Sequence, residues 1–182
     1  MSLYNEAEAY LNSFLLKHKH FSNIRAYFAD YCYSPDGSAS YSSYEYSMFH
    51  ADLDNNTIGV IAYPNWKNMI FDKLFDNNAV KFGFKKNCSS YMLYFFHELG
   101  HHIIKRKWNK EETRKMILIE NKMQNELSLE EKEKLYFLLP EEAEATKWAI
   151  RYINDHIDEV RELENNIKDV IDNYEACKQF AA

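Results

Sequence analysis

The chain has 182 residues, 46% hydrophobic and 27% charged, with a formal net charge of −6. This is globular composition, long enough to bury a sizeable core in a single domain spanning residues 1–182, and it lacks the basic face of a phosphate-backbone binder, so no direct nucleic-acid partner is expected. No apolar run reaches the roughly 18 residues of a membrane span, so no membrane partner is expected either.

The first residues, Met1-Ser2-Leu3-Tyr4-Asn5-Glu6, lack the basic start and apolar stretch of a secretory leader. Cys32, Cys88 and Cys177 are odd in number and far apart, which reads as reduced thiols in a cytoplasmic protein. Residues 1–23 form a predicted N-terminal helix, because Tyr4, Ala7, Tyr10, Leu11, Phe14 and Leu15 recur at three-to-four spacing. Over residues 24–62 the period changes to two, with Ile24, Ala26 and Phe28 alternating with Arg25, Tyr27 and Ala29. Ser34-Pro35-Asp36-Gly37 reads as a turn, Tyr44 to Phe49 as a strand, and Asp54-Asn55-Asn56 as a tight turn into the strand Thr57 to Ala62. The expectation is a small, mostly antiparallel sheet.

Pro64-Asn65-Trp66 opens a predicted helix to about Phe75, and Asp76 to Asn87 reads as a connector. Ser89 or Ser90 caps a helix running to about Lys107, so residues 64–107 are mainly helical. The remainder, 109–182, is also predicted helical. Asn109 starts a helix to about Leu127, Ser128-Leu129-Glu130-Glu131 is a capping box, and Pro140 starts a helix running to about Val160. The predicted class is therefore α+β, a small sheet followed by a helical bundle.

Chemistry concentrates at His97-Glu98-Leu99-Gly100-His101. Positions i and i+4 of a helix lie about 40° apart around its axis, so both imidazoles project from one face and can share one tetrahedral ion. Glu98, about 100° further round, is badly placed as a ligand and well placed to act as base on a water. The competing reading is a polar stripe of hydrogen-bonded histidines. Against it stands the strongly apolar helix around them, in which unpaired His and Glu are costly.

Zinc on two His needs a third protein ligand, leaving one position open. Ile104 and Lys107 occupy the places of a third His at HExxHxxGxxH spacing, so a carboxylate from a later helix is required. Glu141, Glu142 and Glu144 all qualify, although a helix N-terminus favours acids in any case. For stabilising a developing oxyanion, His50, Tyr46 and Tyr136 are open candidates. His102 points off the ligand face. His156 lies about 18 Å from Glu144 along a continuous helix, too far to share its metal.

The pairing of HELGH at 97–101 with Glu142-Ala143-Glu144-Ala145-Thr146-Lys147-Trp148-Ala149 resembles the ImmA/IrrE family of zinc metallopeptidases, whose members carry an E-x-E-A-N-x-F-A segment. Thr146 stands where that family usually has Asn. The resemblance implies a minimal zincin-like fold and a Zn2+ ion held by His97, His101 and Glu144, with Glu141 the alternative third ligand. It implies Glu98 as the catalytic base, the strand Thr57 to Ala62 along the substrate cleft, and cleavage of a specific protein or peptide substrate such as a regulatory repressor. The alternative function is a catalytically silent binding or regulatory module with a structural metal.

Overall fold

Helix α1 (Leu3–Lys17) buries Ala7, Leu11, Phe14 and Leu15, the stripe that its three-to-four spacing sets. The computed structural model describes residues 3–29, 49–62, 75–104, 109–123 and 127–180. The expected turn at Ser34–Gly37, the residues before Phe49 in the second strand, the helix from Pro64 up to residue 74 and Lys105–Lys107 lie outside the described residues.

Among the described residues three strands follow α1: β1 (Arg25–Ala29), β2 (Phe49–Asp52) and β3 (Thr57–Ile61). Their spatial order is β1-β3-β2. The strands β2 and β3 form an antiparallel hairpin through the turn at residues 53–56, where Asp52 accepts from the Asn55 backbone at 3.0 Å and Asn56 takes a positive φ of 53°. Strand β1 lies on the other side of β3 and runs parallel to it, pairing Arg25 with Thr57 and Ala29 with Ile61. The sheet is thus mixed, which corrects the expectation of a mostly antiparallel one. A local hairpin signal says nothing about which strand takes the far edge, and here β1 takes it.

The outer side of β1 is closed by α1 rather than left open. Asn12 donates to the Ala26 carbonyl at 2.8 Å and accepts from the Ala26 N–H at 3.0 Å, and Glu8 accepts from the Phe28 N–H at 2.9 Å. Polar helix side chains here replace a neighbouring strand, which removes a sticky edge. Among the described residues β3 is the central strand, with β1 and β2 on its two sides.

Helix α2 (Ser90–Ile103) runs through the centre, with every residue from Tyr91 to Gly100 buried. Ser89 caps it in extended conformation, its hydroxyl accepting from Met92 N–H. The helix stops at Ile103, short of the expected Lys107. Residues 75–79 are helical and lead into a 3-10 turn at Val80–Phe82, so the expected connector begins as helix. Asp76 ties this turn to α2 by accepting from Ser90 Oγ at 2.6 Å and from Tyr94 Oη at 2.8 Å.

Helices α3 (Lys110–Met123) and α4 (Leu129–Tyr136) each open on a reciprocal cap, Asn109 with Glu112 and Ser128 with Glu131. The last three helices are α5 (Pro140–Asp155), α6 (Ile157–Asn166) and α7 (Lys168–Phe180). The expected single run from Pro140 to Val160 breaks at His156, which has φ −126° and ψ 33°. The breaks at His156 and Ile167 redirect the chain so that Val160, Leu163, Val170 and Tyr174 all stay in the core. Helix α2 is sandwiched between the sheet and α5. Its core contacts are largely aromatic, Phe49 against Tyr91 at 4.8 Å and Phe95 against Phe96 at 5.3 Å among them. Among the described residues no helix is long and apolar enough to cross a membrane.

Candidate metal centre

Helix α5 presents to α2 a stripe of small side chains, Ala145, Thr146 and Ala149, all 0% exposed. Glu142 belongs to the same face, three and four residues before Ala145 and Thr146. Helix α2 meets that stripe with Gly100, and the two backbones approach closely there. The approach carries Glu142 to the His97–His101 face.

Three atoms result at the corners of a nearly equilateral triangle. His97 Nε2 and His101 Nε2 are 3.2 Å apart, and Glu142 Oε2 is 3.2 Å from each. Tetrahedral zinc with bonds near 2.0–2.1 Å sets its donors about 3.3–3.4 Å apart. Hydrogen bonding alone serves the triangle badly. A ring nitrogen offers one proton or one lone pair, and its two neighbours lie about 60° apart, so it can align with only one of them. A cation on the triangle's axis answers all three donors together, and two imidazoles with a carboxylate are a donor set that zinc accepts.

Two further groups border the triangle. Glu98, 8% exposed, holds Oε1 4.0 Å from His97 Nε2, near the cluster but outside the donor set. Tyr136, at the end of α4, places Oη 3.2 Å from His97 Nε2. Burial first, then the charges of Glu142 and Glu98, push the Tyr136 phenol well above its ordinary value, so it stays a donor. Burial pulls His101 towards neutrality, but the Glu142 charge and hydrogen bond, with Glu98 and Glu141 beyond, outweigh it and raise the imidazole to about 9. Burial likewise opposes ionisation of Glu142, yet the charge of His101 and the hydrogen bond it donates hold the carboxyl far below the usual range.

The structure thus joins His97 and His101 to Glu142, not to Glu144 or Glu141. Glu144 is two residues on, about 200° round α5, on the side turned from α2. Glu141 is half-buried beside the cluster, with burial and then the Glu142 charge raising its pKa. The stripe 142-145-146-149-153 was the available signal, because it extends the buried face of α5 back onto Glu142. Two partners of His97 had no sequence signal of their own: the Phe75 ring, edge-on at 5.1 Å, and Thr146, with Oγ1 3.1 Å from Nδ1. Of the candidate oxyanion donors Tyr136 is at the cluster, His50 lies half-buried on β2, and Tyr46 is outside the described residues. His102 is buried and bonds the Thr57 carbonyl at 3.0 Å, tying α2 to β3. His156 is exposed and stacks on Tyr152 at 4.4 Å.

No family model matches the chain, and no curated protein and no solved structure matches it.

Proposed function

We propose that the chain is a zinc-dependent peptidase of zincin-like fold, similar to the ImmA/IrrE family, with His97, His101 and Glu142 as the metal ligands. The observation that carries this reading is the 3.2 Å triangle with a buried fourth group, Glu98, held just outside it. A purely structural site has no use for that carboxylate, whose burial is costly. When bound, zinc would polarise a peptide carbonyl and lower the pKa of a water. Glu98 takes the proton from the attacking water and delivers it to the amine as the C–N bond breaks. Tyr136 donates a hydrogen bond to the carbonyl oxygen as negative charge develops on it. Two neutral imidazoles and one carboxylate favour zinc over the hard cations, which prefer oxygen ligands alone. A protein or peptide with a narrow cleavage site is the substrate class carried by the resemblance.

The test uses the zinc-loaded full chain, incubated with peptide libraries and read by mass spectrometry. About one zinc per chain and discrete cleavage products are expected. Glu98→Gln keeps the metal and loses cleavage. Products undiminished in that variant sink the mechanism, and a wild-type chain that binds zinc but cleaves nothing favours the silent binding module instead.

A further inference from the structure

One side chain of α5 touches two of the three proposed ligands. Thr146 is 0% exposed, with Oγ1 2.8 Å from the Glu142 carbonyl oxygen and 3.1 Å from His97 Nδ1. We infer that Thr146 is a positioning residue that fixes the His97 tautomer and so keeps Nε2 open to a cation. This rests on the proposed metal site.

A backbone carbonyl only accepts, so the single hydroxyl proton of Thr146 goes to Glu142 O, the ordinary back-bond of a helical Thr. The same oxygen can then only accept from the ring, which places the imidazole proton on Nδ1. Nε2, facing His101 and Glu142 at 3.2 Å, is left with its lone pair. Without Thr146 the opposite tautomer would prevail. The Glu142 carboxylate, a stronger acceptor than a hydroxyl, would draw the ring proton to Nε2, where it blocks a cation. Orientation of a metal-bound imidazole through its second nitrogen is a general requirement of such sites. Here the orienting group also grips the backbone of the carboxylate ligand, so one hydroxyl ties the two together.

The experiment compares the full-length chain with Thr146→Val, which keeps the shape and loses the hydroxyl, and Thr146→Ser, which restores the hydroxyl. Two readouts are taken. In the metal-free protein with 15N-labelled histidine, two-bond proton–nitrogen correlations report the His97 tautomer at a pH where the ring is neutral. Competition against a chromophoric chelator reports Zn2+ affinity. Wild type and Thr146→Ser are expected to show the Nδ1–H pattern and similar affinity. Thr146→Val is expected to shift towards Nε2–H and to bind zinc about 10–100-fold more weakly. A wild-type ring protonated on Nε2, or a Val variant unchanged in either readout, overturns the inference. Wild-type protein that binds no zinc sinks the proposed function, and the tautomer comparison alone then decides the role of Thr146.

Discussion

Gly100 of α2 lies so close to Ala145 of α5 that a Cβ on Gly100 would stand 2.9 Å from the Ala145 carbonyl oxygen and 3.1 Å from its Cα. Both neighbours are backbone, so neither can swing aside. In most helix interiors Gly→Ala gains about 1 kcal/mol. Here the added methyl must push two helices apart. Gly100→Ala is expected to destabilise the metal-free fold by roughly 1–3 kcal/mol and to weaken zinc binding, since Glu142 rides on the displaced helix. Chemical denaturation and chelator competition check the two effects. A variant more stable than wild type would show that the helices are not in this contact.

The choice of third ligand is testable by a matched pair. Glu142→Gln removes the charge at the triangle and should cost zinc affinity more than the roughly 10–100-fold of a supporting-residue change. Glu144→Gln removes a charge from the opposite side of α5 and should leave affinity within about twofold, since it touches no donor atom. Isothermal titration of both variants decides the matter, and the reverse ranking would return the role to Glu144.

Local signals are legible in this sequence, and non-local ones are not. Two imidazoles four apart are on one helix face whatever surrounds them, and they meet here. The caps at Asn109 and Ser128 likewise depend only on residues three apart. The parallel pairing of β1 with β3 joins segments about thirty residues apart in sequence, and no turn residue announces it. Glu142 was hidden among three acids that any helix start attracts through its dipole. Residue type could not separate them, whereas the spacing to Ala145, Ala149 and Ile153 could. The break at His156 has neither Gly nor Pro beside it, so the helical pattern reads straight through.

Zinc binding should depend on pH through His101. Its metal-free imidazole stays protonated up to about 9 because Glu142 outweighs the effect of burial. A cation must displace that proton. Binding at neutral pH is then expected to release one proton, and the apparent Kd to tighten about tenfold per pH unit until about pH 9, levelling above it. The metal-free fold behaves in the opposite sense. The raised His101 pKa contributes stability fully present below the ordinary 6.5 and lost as pH climbs through about 9. The depressed Glu142 pKa contributes stability present above 4.5 and lost as pH falls. Metal-free protein should therefore melt highest between about pH 4.5 and 6.5. Affinity flat from pH 6.5 to 9 would contradict the ion pair.

Tyr136 is expected to separate binding from turnover. Its hydroxyl is 3.2 Å from His97 Nε2 and hydrogen-bonded to Glu142, and its ring packs against Phe75 and Phe137 at 6.4 and 5.5 Å. The aromatic neighbours hold the ring whether or not the hydroxyl is present, so Tyr136→Phe should fold and load zinc as wild type does. Because burial and nearby carboxylates keep the phenol protonated, it can donate to an oxygen gaining charge at any working pH. Removing one such donor typically costs about 100–1,000-fold in kcat. Tyr136→Phe is thus expected to lower kcat by about that factor with KM and zinc affinity little changed. A rise in KM with kcat preserved would make Tyr136 a contact to the bound substrate rather than to the charge formed during cleavage. A comparable loss in His50→Ala, with Tyr136→Phe active, would move the role to β2.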